Sequence, residues 1–143
     1  MAIKTLSTLI KLHKRRVDII RREMIPLEEE RRQLLIAVEK LHAEHEREMR
    51  LAAEDAKIAG FFGAYSKRVK QRQEVIAREI TRLDAAIEVK VNAIREEFSE
   101  QKKYEIAREQ EKKRNLQEAQ RRQQQRFDEI GAQQYLRARD NSL

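Results

Sequence analysis

From Ile3, steps that alternate between three and four residues reach Leu6, Ile10, His13, Val17, Ile20, Met24, Leu27, Arg31, Leu34, Val38 and Leu41. Ten of these twelve positions are apolar, and most residues between them are charged or polar. An apolar repeat of 3.5 residues sustained over five heptads predicts a coiled-coil seam and, because it under-winds the helix, a left-handed supercoil. Beyond Leu41 the seam is followed as His45, Met49, Ala52, Ala56 and Ala59, with one additional step of four that reads as a stutter. The alanines at its end would let two helices approach closely. A second apolar series, Tyr65, Val69, Ile76, Ile80, Leu83, Ile87, Val91, Ile94 and Phe98, has the same spacing.

Breakers are scarce between and around these series. Gly60 and Gly63 bracket Phe61 and Phe62, and only Gly131 and Pro26 occur elsewhere. Glycine is a strong local punctuator of helix, so the pair predicts the chain reversal. The expected architecture is all-α: one domain over 1–143, two long antiparallel helices forming a left-handed coiled-coil hairpin. Helix one covers about 3–59, the tip 60–64, helix two about 65–130 and a tail 131–143. Folding about the tip would set Leu83 near Leu41 and Val38, Ile94 near Arg31 and Leu27, and Phe98 near Met24. Pro26 keeps the phase of the seam, which predicts a bend within one continuous helix rather than a break. Past Ser99 apolar residues thin out, and the return helix is expected to track residues 3–24 partly and then overshoot them. Apolar character returns in residues 126–136, where Phe127, Ile130, Tyr135 and Leu136 form either a docking segment or a frayed tail.

Composition agrees with extended helices. Charged residues make up 40% of the chain, aromatics 5%, and mean hydropathy is −0.86. A compact domain carries about 25% charged residues. The net charge of +7 admits an acidic partner, a nucleic acid or an anionic membrane. The 32 basic residues are interleaved with 25 acidic ones, however, which describes a solvated helix laced with i,i+4 pairs, and no nucleic acid is expected. There is no cysteine for disulfide or thiolate chemistry. No apolar run is long enough to span a membrane, and a cytosol-like compartment is expected. Residues 1–17 hold no acid and are amphipathic, which would suit an organelle presequence or an interfacial helix. Their apolar spacing runs on into the following helix without a phase break, which favours the start of the coiled coil.

Chemistry-bearing constellations are sparse. His42 and His45 lie three apart with Glu46 adjacent, a conceivable metal pair with no third ligand, so no metal is expected. No phosphate-binding loop, nucleophile elbow or zinc-protease motif occurs, and neither a catalytic residue nor a cofactor is expected. The carboxylates sit beside Lys or Arg at helical spacing, as solvated pairs do.

The aromatic turn leading into Tyr65-Ser66-Lys67-Arg68-Val69, the stretch Gln101-Lys102-Lys103-Tyr104-Glu105 and the terminal Gln125-Arg126-Phe127-Asp128-Glu129-Ile130 resemble the flagellar type III export protein FliJ family over most of the chain. The resemblance implies a non-enzymatic stalk and export-chaperone component, similar in architecture to the central stalk of rotary ATP synthases. Its implied partners are a hexameric export ATPase, the cytoplasmic domain of the export gate and other export chaperones, with peripheral association at the inner face of the cell membrane. It implies an ATPase-facing set of Lys11, Lys14, Arg15, Arg16, Arg121, Arg122, Arg126 and Phe127. It also implies a tip and gate-facing set of Phe61, Phe62, Tyr65, Arg68, Val69, Arg72 and Ile76, where Arg68 and Arg72 stand at positions the family keeps more apolar. Two other readings remain open on the residues alone: a basic rod that binds nucleic acid or anionic membrane, and a homodimeric coiled-coil scaffold.

Overall fold

The computed structural model describes residues 1–142 and contains two helices, α1 (Ile3–Glu54) and α2 (Ala56–Asn141), which pack against each other as a hairpin. Leu143, the end of the expected tail, lies outside the described residues. All twelve seam positions from Ile3 to Leu41 are buried or half-buried, so the 3–4 spacing identifies the packed face of α1 residue by residue. α1 passes through Pro26 without interruption. Proline withholds the N–H that would bond the carbonyl of Arg22. Both residues are exposed, so water can take that carbonyl.

The reversal is not at Gly60–Gly63. The single residue outside helix between α1 and α2 is Asp55. Its N–H donates to the carbonyl of Leu51 at 3.1 Å, closing α1, and its carbonyl accepts from the N–H of Ala59 at 3.0 Å, opening α2. Its Oδ1 also accepts the N–H of Lys57 at 2.9 Å, satisfying a donor that the first turn of a helix leaves unpaired. Gly60 and Gly63 are ordinary helical residues with negative φ, so α1 ends five residues earlier than expected and α2 begins nine earlier. Gly131 is helical too, and the expected tail is the last part of α2 up to Asn141.

The chain packs as two compact units. In Arg15–Glu97 the core is Val17, Val69, Ile76 and Leu83, the last fully buried. Burial of a side chain of this size stabilises by roughly 1.5–3 kcal/mol. Cross-helix pairs flank the seam: Arg16 with Glu97, Glu23 with Lys90, Glu30 with Arg82 and Arg31 with Asp84. Each pair is nearly equidistant from residues 56–58, which corrects the register. Arg31 meets Asp84 instead of Ile94, and Leu83 is level with Glu30 and Arg31 instead of Val38 and Leu41. The stutter is also absent from α1. The seam continues as His45, Glu48 and Ala52 at unbroken 3–4 spacing, while Met49, Ala56 and Ala59 are exposed.

In the second unit, Met1–Lys14 with the chain from Phe98 onward, Leu6 and Ile10 are buried, but their surroundings are polar. His13 stacks on Tyr104 with ring centroids 5.5 Å apart, Gln101 is 9% exposed, and Arg108 donates to Ser7 Oγ at 3.4 Å. Phe98, expected on the seam, is half exposed. From Lys112 every described residue is exposed, so the overshoot of α2 begins earlier and runs longer than the expected register allowed.

Candidate docking surfaces

Exposed apolar side chains are spread along both helices, and two stretches carry several of them. The first is the tip of the Arg15–Glu97 unit. His45 and Phe62 have ring centroids 5.4 Å apart, and Tyr65 lies 6.3 Å from each. His45 Nε2 is 3.0 Å from Ser66 Oγ, a cross-helix hydrogen bond that ties the cluster together. Beside it, Glu48, Ile58, Phe61, Phe62, Tyr65 and Arg68 line a shallow cleft of about 270 Å³. Phe61 is 79% exposed, and the lining combines apolar and aromatic side chains with one carboxylate and one guanidinium. Such a surface can receive one side chain of a partner and hold it by orientation-dependent polar contacts.

Of the tip and gate-facing set, Phe61, Phe62, Tyr65 and Arg68 come together here. Arg72 is exposed farther along α2. Val69 and Ile76 are 5% and 4% exposed and belong to the core, where they hold α2 to α1 and present nothing to a partner. The cleft's Glu48 and Ile58, and His45 beneath it, were not among the expected site residues. The signal existed: counting in threes and fours backward from Tyr65 gives Phe62 and Ile58, and forward from Leu41 gives His45 and Glu48.

The second stretch is the exposed end of α2. Arg121, Arg122, Arg126 and Phe127 are all exposed there, as are Lys11 and Lys14 in the same unit. Within this unit Lys11 and Lys14 do not lie beside Arg121, Arg122, Arg126 and Phe127. His13 stacks on Tyr104 and Ser7 bonds Arg108, so the first turns of α1 lie against residues 101–111. Arg121 stands thirteen residues past Arg108, about 20 Å farther along the helix at about 1.5 Å per residue. Arg15 and Arg16 belong to the other unit, where Arg16 lies 3.8 Å from Glu97. The apolar face of residues 3–17 is turned inward through Leu6, Ile10 and Val17, so it is not free to enter a membrane surface.

Glu29, Glu100 and Glu105 are each shifted toward the charged form. Glu29 is lowered to about 2, first by its hydrogen bond from Arg32 and then by that from Gln33. The Lys103 ammonium at 2.9 Å lowers Glu100, and the Gln101 amide lowers Glu105. These are anions held by donors, the opposite of a carboxyl kept ready to give up a proton. His42 Nε2 lies 3.2 Å from Glu46 Oε1, and His45 is engaged with Ser66. Among the described residues no cluster of three or more His, Asp or Glu is placed to hold a metal ion, and no helix is long and apolar enough to cross a membrane. An open groove between residues 102 and 116 is walled by α2 alone, which cannot enclose a small molecule. No family model, curated protein or solved structure matches the chain.

Proposed function

We propose that the chain is a non-enzymatic stalk and export-chaperone component of a flagellar type III secretion system. Its end would enter the pore of a hexameric export ATPase and its tip would meet the cytoplasmic domain of the export gate. The observation that carries the reading is the solvated single helix from Lys112, together with an aromatic cleft at the tip. Both leave apolar side chains uncovered, and the resemblance to the FliJ family names the proteins that would cover them. A lone helix is asymmetric about its axis, so inside a symmetric ring it touches each subunit differently. Differential contact of that kind biases ring assembly and orders the nucleotide cycle. The protein would act in the cytoplasm and reach the inner face of the membrane through its partners.

The test is ATP hydrolysis and hexamer formation by the cognate export ATPase, with and without the full chain. Stimulation by the full chain, lost in a chain ending at Glu111, supports the stalk. Absence of stimulation by the full chain removes it.

A further inference from the structure

The exposed part of α2 carries a patterned face. At about 100° per residue, Leu116, Phe127 and Ile130 fall within roughly 60° of one another. They are 60%, 60% and 50% exposed. Gln120, Gln123 and Gln134 complete the same stripe at 3–4 spacing, the period of a coiled-coil seam. This face is turned roughly a quarter of the way round the helix from Gln101, Tyr104 and Arg108, whose side faces α1, so a longer α1 would not cover it.

Charge is sorted around the stripe. Lys112, which also reaches the carboxylate of Glu109 at 3.8 Å, Lys113, Arg126 and Arg137 flank it within roughly 80° of its centre, while from Lys112 onward the acidic residues Glu118, Asp128, Glu129 and Asp140 lie more than roughly 110° away, among the remaining arginines. On that far side Arg122 bonds Glu118 at 3.1 Å. In a coiled coil, residues in the flanking positions choose the partner by charge.

We propose that this face docks an acidic amphipathic helix of another protein, whose apolar seam meets Leu116, Phe127 and Ile130 and whose flanking carboxylates meet the four cations. A second copy of this chain is a poor occupant, because its own flanking cations would face these. An anionic membrane is also poor, because three glutamines interrupt a stripe only one seam wide, where an interfacial helix needs a broad apolar face. The proposal does not depend on the stalk reading, and a chain that failed to stimulate an ATPase would still present this face.

The test uses the full chain and two labelled synthetic helices, both with Leu at seam positions, one flanked by Glu and one by Lys, read by fluorescence anisotropy. The Glu-flanked helix should bind at least about tenfold more tightly. Replacing Phe127→Ser and Ile130→Ser together should weaken that binding about tenfold or more. Reversing Lys112, Lys113, Arg126 and Arg137 to Glu should exchange the preference for the Lys-flanked helix. All six positions are exposed, and unchanged helical circular dichroism confirms that the variants fold. Absence of binding, equal binding of the two helices, or an unchanged preference after charge reversal overturns the proposal. So does a doubled mass by light scattering, or sedimentation with phosphatidylglycerol vesicles, that is lost in the Phe127→Ser, Ile130→Ser variant.

Discussion

Leu83 and Val89 lie on the same helix and differ in what removing their methyl groups would expose. Leu83 is fully buried, so Leu83→Ala leaves a cavity and should cost about 2–5 kcal/mol. Val89 is 66% exposed, and Val89→Ala should stay within about 0.5 kcal/mol. Urea denaturation followed by circular dichroism distinguishes the two. At Glu29 the measurable effect is electrostatic. Its carboxyl is lowered from 4.5 to about 2 by hydrogen bonds from Arg32 and Gln33. A lowered carboxyl stabilises the folded chain above the ordinary value, and that contribution fades as pH falls from about 4.5 to about 2. The side chain is 52% exposed and solvent screens it, so the effect on stability is small, but the titration itself is visible. Carbon-detected NMR should place the Glu29 midpoint near 2, and Arg32→Ala should raise it toward the usual carboxylate range.

At the scale of the element, helix boundaries follow from hydrogen bonds more than from breaker residues. Asp55 serves both helices, so Asp55→Ala should cost about 0.5–2 kcal/mol. Gly60→Ala and Gly63→Ala should do the reverse. A Cβ at either position meets nothing within 4 Å and φ is helical, so each should stabilise by about 0.5–1 kcal/mol. If the glycines formed the turn, the same changes would destabilise, and thermal melts read the sign directly. The packed part of α2 beyond Phe98 shows a different economy. Gln101 Oε1 and Arg108 Nε are buried without a hydrogen-bond partner. An unmet polar atom of this kind opposes folding by about 1–3 kcal/mol, which at Gln101 is offset in part by the hydrogen bond its Nε2 donates to Glu105 at 3.0 Å.

For the whole molecule, folding and function are expected to depend on different residues. Every described residue from Lys112 is exposed, so a chain ending at Glu111 should unfold at the same urea midpoint as the full chain. On the proposed stalk reading, the same truncation should abolish any stimulation of the export ATPase by the full chain. A chain that lost both together would make the end of α2 part of the fold instead of a surface presented to others. Nearly uniform helical propensity explains why so much of the architecture is legible in the residues: Ala, Glu, Lys, Arg, Gln and Leu dominate, and helix is favoured almost everywhere. The contact surfaces are less legible. Phe61 and Phe127 stand out as apolar residues with no seam to enter, but Val69 and Ile76 share their chemistry and lie in the core.

The sequence by itself determined the all-helical class and, residue by residue, the face of α1 from Ile3 to Leu41, because a 3–4 repeat is a local property that survives whatever it packs against. Only the tertiary structure decided where the chain reverses and which residues pair. Gly60 and Gly63 tolerate helix as well as turn, while the cross-helix register multiplies any error in the turn: a reversal about five residues earlier moves the partner of Arg31 from Ile94 to Asp84. That same displacement lengthens the uncovered part of α2. It is why the extent of the exposed, cation-flanked face was not readable from spacing alone.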